Sequence, residues 1–285
     1  MLTAAVVLAI TLTDRFAELA KTCQCRLGIA AQPVEGGETY ELNGGERFPM
    51  QSVYKLPISM AVLDQVERKT LTLTQTVTFT ASDMAGVGFH SPLRDRYPTG
   101  GVSVGVRDLI RAAIVDSDGI ASDALYRLAG GGERITAYLR AIGIQDMDVV
   151  ATEREMFEDR TRMTQYRNST TPRAAVALLR ALHDGRGVTP AAREMLLKDL
   201  TESVPGAKRL KGLLPAGTPV AHKTGTDGTF NGMTRGTNDV GIITLPGGRY
   251  LAIAVFVKDS TASEAVREGT IAKAARLAFD AWTAR

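Results

Sequence analysis

The sequence predicts a mixed α/β (α+β) protein: one antiparallel sheet built from both chain ends and flanked by helices, with an all-helical domain inserted between them. Three observations predict it. Strand-and-turn patterns lie near both termini, at 26–42 and 239–258. Six stretches of helical apolar spacing fill the middle. An amphipathic helical pattern, Thr261 to Trp282, closes the chain. Strands at both ends with helices between them suggest one sheet completed by the two ends of the chain.

Each element has its own local reason. Met1 to Leu12 is apolar and carries no basic residue. It reads either as the remnant of a secretory signal or as the start of the mature chain. It falls short of the roughly 20 apolar residues that a membrane-spanning helix needs. Thr13 or Asp14 can cap the helix that follows, with Phe16, Leu19 and Ala20 on one face. Arg26 to Gln32 and Glu38 to Leu42 form a hairpin around the turn Glu35-Gly36-Gly37. The helical patterns run over Val53 to Val66, Val106 to Val115, Ile120 to Leu128, Glu133 to Ile142, Arg173 to His183 and Ala191 to Leu200. Gly and Pro clusters separate most of them. Asp239 to Leu245 and Arg249 to Lys258 form a second hairpin around Pro246-Gly247-Gly248. The run LAIAVFV in its second arm suits a buried central strand. The expected domains are a discontinuous sheet domain, 13–48 with 205–285, and a helical domain, 49–204.

Composition narrows the function. Of 285 residues, 44% are hydrophobic and 23% charged, as in an ordinary globular protein, so long disorder and a multi-span membrane protein are excluded. The net charge is only +3, and no Lys/Arg block is interleaved with aromatics, so no nucleic-acid partner is expected. Cys23 and Cys25 stand one residue apart, a spacing that rarely meets disulfide geometry. They read as two half-buried strand residues. With three histidines in the chain they do not compose a zinc site, so no metal is expected.

Three motifs can carry chemistry. In Ser52-Val53-Tyr54-Lys55, a helix opening at Ser52 puts its hydroxyl and the Lys55 amine on one face. A serine hydroxyl needs such a base to act as a nucleophile. The free N–H groups of a helix start favour developing negative charge there. Alone, this spacing arises often by chance. Its context is unusual, because the surrounding helix is apolar all round and an unpaired lysine inside it would be costly. Ser117-Asp118-Gly119, between two apolar helices, reads as a turn and cap on its own. His222-Lys223-Thr224-Gly225-Thr226 follows a strand-like stretch. A lysine, two hydroxyls and a glycine that lets a ligand approach the backbone could hold a carboxylate.

The order Ser-x-x-Lys, Ser-Asp-x, Lys-Thr-Gly resembles the signature of class A β-lactamases and penicillin-binding proteins. The segments PMQSVYKL, HSPLRDRYP, SDGIASDAL, TEREM, RLKGLLPAG, AHKTGT, TNDVGIITLPGG and VFVKDS extend the likeness over nearly the whole chain. It is greatest to the extended-spectrum, PER/VEB-like branch of class A. The resemblance implies a serine β-lactamase fold and hydrolysis of the β-lactam ring of penicillins and cephalosporins, giving antibiotic resistance. Ser52 would be the nucleophile, with Lys55, or Glu153 through a water, as its base. Ser117 would relay a proton to the leaving nitrogen, supported by Lys223. Thr224 and Thr226 would bind the substrate carboxylate, beside Gly225, and the N–H groups of Ser52 and Thr226 would form the oxyanion hole. Glu153 would activate the water that releases the ester. Its 36-position separation from Ser117 and its place in Thr152-Glu153-Arg154-Glu155-Met156 favour it over Glu155.

The resemblance also exposes departures. Gly119 stands where most members have an Asn that contacts the substrate's acylamide, so altered selectivity is expected. Phe157 stands where many use Asn to hold the hydrolytic water. Asp123 and Asn168 look like an exchanged Asn/Asp pair at the neck of the loop carrying the glutamate, joined by one hydrogen bond. Two extra residues between Glu153 and Asn168 imply an unusual loop path. His90 falls where an aromatic gate flanks the cleft. Arg209 falls where some members keep an arginine for the substrate carboxylate, and equally reads as a surface arginine. Gln51 and Ser59 stand at disulfide positions of other members, so neither of those bridges is expected. No cofactor, a monomeric state, and a periplasmic or secreted location complete the expectation. The competing readings are a D,D-peptidase of cell-wall synthesis and a non-catalytic penicillin-binding sensor.

Overall fold

The computed structural model describes residues 11–86 and 88–284. Helix α1 (Leu12–Thr22) comes first. Its cap is Thr11, whose hydroxyl accepts the Asp14 N–H while the Asp14 carboxylate accepts the Thr11 N–H. The expected cap at Thr13 or Asp14 is thereby corrected: Asp14 is the reciprocal third residue of a capping box. Leu12 is buried in this helix, so the segment 1–12, read as a signal remnant or as the start of the mature chain, overlaps folded chain at its end. Its remaining part, 1–10, lies outside the described residues.

Cys23 and Cys25 require a second correction. They lie in the turn after α1 rather than in a strand, and they are disulfide-bonded, with Cα atoms 5.2 Å apart. Gln24 between them is left-handed, φ 46°, which closes the turn. An extended strand would hold the two Cα atoms roughly 6.6–6.8 Å apart.

The chain continues through β1 (Arg26–Pro33), β2 (Tyr40–Leu42) and β3 (Phe48–Pro49). A single 3₁₀ turn, Gln51–Tyr54, leads into α2 (Lys55–Glu67), β4 (Thr76–Phe79), α3 (Ala81–Met84), α4 (Pro92–Arg96) and β5 (Val102–Gly105). Helix α5 (Val106–Arg111) widens into a π turn, Ala112–Asp116, before α6 (Gly119–Leu128), α7 (Gly131–Ala141), β6 (Met147–Asp148) and α8 (Glu153–Glu158). Then come β7 (Ser169–Thr170), α9 (Pro172–His183), α10 (Pro190–Thr201), β8 (Val220–Thr226), β9 (Thr229–Phe230), β10 (Met233–Thr244), β11 (Tyr250–Ser260) and α11 (Glu264–Thr283).

The main sheet has the order β2-β1-β11-β10-β8, with β9 on β10, and every pairing is antiparallel. Both chain ends therefore meet in it, Arg26 lying opposite Lys258. The period-2 alternation of β11 divides the core. Leu251, Ile253, Val255 and Val257 pack with Phe16 of α1 and Phe279 and Trp282 of α11. Ala252, Ala254 and Phe256 face the second cluster, with residues of α2 and α9. The expected all-helical insert carries two small antiparallel sheets, β4-β5 and β3-β7-β6. Strands of two to four residues are too short for alternation to stand out in sequence.

Candidate active site

Ser52 is held by the edge of the main sheet. Asn238 of β10 donates from Nδ2 to the carbonyls of Pro49 (2.8 Å) and Met50 (3.1 Å). Gly225 of β8 packs against the same segment. A Cβ there would overlap the Met50 carbonyl and lie 3.0 Å from Gln51 Cβ. Glycine at 225 thus leaves room on this side for the Met50 carbonyl and the Gln51 side chain. Gln51 is left-handed, φ 49°, a conformation costing roughly 1–3 kcal/mol, and it turns the chain into the 3₁₀ segment. Ser52 follows, partly exposed, on the wall of a cavity of about 460 Å³. That volume suits a small molecule.

Lys55, three residues on, is 2% exposed. Its Nζ donates to the Ser117 carbonyl at 2.7 Å and stands 3.3 Å from Glu153 Oε2. These partners answer the cost of burying a lysine in an apolar helix. The π turn after α5 ends at Ser117, itself left-handed at φ 60°, ψ 33°. Asp118 is fully buried. It takes the Ser91 hydroxyl and the N–H groups of Leu93 and Ala121, so it both caps α6 and fixes the loop.

Lys223 of β8 is fully buried and donates from Nζ to Ser117 Oγ at 2.9 Å. Burial, then the charge of Lys55, pushes its pKa well below the usual lysine value. Thr224 and Thr226 line the cavity beside it. Arg209 lies behind the strand, 4% exposed. It donates to Thr226 Oγ1 (2.8 Å) and to the carbonyls of Gly225 and Asn238, and it pairs with Glu268. It is thus neither a surface arginine nor a lining residue; it braces Thr226.

The two candidate glutamates separate by partner. Glu155 accepts the N–H and hydroxyl of Thr152, closing a capping box on α8. Glu153 lines the cavity, with Oε2 accepting the Tyr54 hydroxyl at 2.6 Å beside Lys55. Burial raises its pKa. The charge of Lys55, hydrogen bonds from Tyr54 and Lys55, and the charge of Lys223 more than cancel that, leaving it below the ordinary glutamate value.

Asp123 and Asn168 do not bond to one another, contrary to expectation. The Asp123 carboxylate takes the N–H groups of Glu153 (2.6 Å) and Arg154 (3.1 Å). Asn168 accepts from Val150 and Ala151 N–H and donates to the Ala151 carbonyl. Each side chain is engaged by loop backbone instead. Further along the loop, Gln165 turns its amide nitrogen to Asp227 (2.9 Å) and its oxygen to Arg162 (3.1 Å). This ties the loop to the end of β8.

One wall of the cavity is apolar. Phe89 and Phe157 meet edge to face, 5.9 Å between centroids, beside Gly88 and Met156. A Cβ at Gly119 would overlap the Phe89 ring and lie 3.0 Å from Glu153 Cγ. Glycine at 119 is thus coupled to phenylalanine at 89. His90 is exposed at the rim, its Nε2 2.9 Å from the Asp116 carbonyl. Ser52, Lys55, His90, Ser117, Glu153, Thr224 and Thr226 all line this one cavity.

The sequence reading assigned no role to Tyr54 or Phe89. Tyr54 had a usable signal: a buried phenol normally finds a partner, and the apolar segment around it offers none.

A model of the beta-lactamase enzyme family matches residues 11–282. The chain is 40% identical over 253 residues to extended-spectrum beta-lactamase PER-1 of Pseudomonas aeruginosa, covering 89% of this chain and 81% of that protein. It is 33% identical to beta-lactamase VEB-1 of Pseudomonas aeruginosa, covering 94% and 89%. The crystal structure of a beta-lactamase from Chitinophaga pinensis superposes with a TM-score of 0.91 at 39% identity, covering 95% of this chain and 99% of that one.

Proposed function

The chain belongs to the beta-lactamase enzyme family, whose reaction opens the β-lactam ring and so confers antibiotic resistance, and from that premise we propose that it hydrolyses penicillins and cephalosporins through an ester on Ser52. The observation that carries this reading is the convergence on Ser117. Lys55 holds its carbonyl and Lys223 its hydroxyl, in the cavity lined by Ser52 and Glu153.

Ser52 Oγ attacks the lactam carbonyl carbon and gives its proton to Lys55, or through a water to Glu153. The oxyanion is held by the N–H groups of Ser52 and Thr226, each such donor contributing about 3–4 kcal/mol. The C–N bond breaks, and Ser117 passes its proton to the departing nitrogen and is reprotonated with the proton taken from Ser52, so the base is free again, while Lys223 stabilises the relay. Thr224 and Thr226 take the substrate carboxylate, Thr226 kept in place by Arg209. Glu153 then removes a proton from water, which attacks the ester carbonyl and releases Ser52. Gly119 and the Phe89–Phe157 wall give the substrate's acylamide no side-chain donor, which shifts selectivity among substrates; His90 borders the entrance.

The enzyme acts as a monomer in the periplasm or outside the cell, where β-lactams meet their targets. The Cys23–Cys25 disulfide supports an oxidising compartment. No helix among the described residues is long and apolar enough to cross a membrane. The test is steady-state hydrolysis of nitrocefin and a penicillin with mass spectrometry of the protein. Many turnovers, abolished by Ser52→Ala, are expected. A single stoichiometric burst with a persistent adduct would mark a penicillin-binding protein, and no reaction at all would end the reading.

A further inference from the structure

We propose that Tyr54 is the positioning residue of Glu153, its phenol hydroxyl fixing the carboxylate that delivers water to the acyl-enzyme. This rests on the role given to Glu153 above. Three observations support it. The Tyr54 hydroxyl donates to Glu153 Oε2 at 2.6 Å, the short distance of a charge-assisted hydrogen bond. Tyr54 is fully buried at the end of the 3₁₀ turn that carries Ser52, and Lys55 follows it directly as the first residue of α2, so the nucleophile, this hydroxyl and the amine lie on one continuous helical stretch. The remaining surroundings of Glu153 are poor in donors. Phe89 fills the space beside Gly119, and Phe157, one helical turn after Glu153, presents a ring.

The geometry also distinguishes the two carboxylate oxygens. Tyr54 and Lys55 both engage Oε2. Oε1 is then the oxygen that takes the proton from water. The resulting hydroxide adds to the ester carbonyl, the bond to Ser52 Oγ breaks, and the proton returns to Ser52 through Lys55. Without the phenol, the carboxylate can rotate about its terminal torsion, a soft twofold motion, and the water loses its acceptor.

The charged and titratable groups facing Glu153 are Lys55 on α2, Lys223 on β8, Asp123 on α6 and Tyr54 itself. Burial and the charge of Glu153 hold Tyr54 well above the usual phenol pKa, so it remains a donor across the working range. Its hydrogen bond is one cause of the low pKa of Glu153.

The experiment is Tyr54→Phe in the full chain, with acylation and deacylation rates measured separately on a penicillin by quench and mass spectrometry. Deacylation should fall about 30-fold, the loss of one charge-assisted hydrogen bond, with acylation less affected. The acid limb of the deacylation profile should move up towards the ordinary glutamate pKa. In a Glu153→Gln background, Tyr54→Phe should add no further loss, because it acts through that carboxylate. An unmoved acid limb, a fall in acylation alone, or losses that multiply in the double variant would each overturn the proposal. A parent enzyme that never turns over would instead overturn the hydrolase reading, a different result.

Discussion

Lys223 donates to the hydroxyl of Ser117, Nζ to Oγ 2.9 Å, across 106 positions of sequence. The contact joins the β8 edge of the main sheet to the π turn after α5, so the proposed proton relay draws on two separate parts of the fold.

Removing that amine should damage chemistry and help stability. Lys223→Met is expected to lower kcat/KM about a hundredfold, the scale of losing one charged group that stabilises the reacting centre. Burial and Lys55 depress the folded-state pKa of Lys223 below its ordinary 10.5. Between the depressed value and 10.5 the unfolded chain binds more protons than the folded one, so stability should rise with pH through that window. Urea titrations of Lys223→Met should show that rise flattened and the protein more stable at neutral pH.

The two glutamates of α8 should give opposite phenotypes. Glu153→Gln should accumulate acyl-enzyme, seen as a mass adduct on the intact protein. Glu155→Ala should keep turnover and cost about 1 kcal/mol of stability, the loss of a capping interaction. An adduct trapped by Glu155→Ala would reverse the assignment.

Restoring an amide at position 119 should fail unless room is made. Gly119→Asn alone forces its Cβ into the Phe89 ring and should lower both stability and kcat/KM. Combined with Phe89→Ala it should recover much of both, giving a coupling of about 1 kcal/mol or more in a double-mutant cycle. Simple additivity would show that the ring and the glycine are independent.

Asp123 should leave a mark on the stability curve. Burial, with a smaller push from the charge of Glu153, raises its pKa from 3.8 to about 7 despite the two backbone N–H groups it accepts. The folded state then holds a proton that the unfolded state has released. This contribution is present below 3.8 and lost as pH rises to about 7. Asp123→Asn should remove that slope from urea titrations run from acid to neutral pH, and an unchanged slope would refute the assignment.

Reducing the Cys23–Cys25 bond should lower stability by only about 1–2 kcal/mol, because the loop it closes is very short. The bond is not part of the cavity wall, so nitrocefin turnover in Cys23→Ser should match the parent.

What the sequence revealed follows from the range of each interaction. Ser52, Lys55, Ser117 and Lys223 stood out because each sits in a short motif with local spacing. The helices were legible because apolar periodicity is local too. The disulfide was not, because it depends on the left-handed turn at Gln24, which no general rule assigns to glutamine. The separation of Asp123 from Asn168, the bracing of Thr226 by Arg209 and the coupling of Gly119 to Phe89 all depend on side chains meeting across distant segments. Tyr54 lies inside a short local motif, but its partner is 99 positions away, beyond the reach of local spacing.

The pairing of β1 with β11 bears on how the molecule is made. Arg26 and Lys258 are 232 positions apart, so the central ladder cannot zip until both of these distant segments are present. Contacts this remote in sequence slow folding.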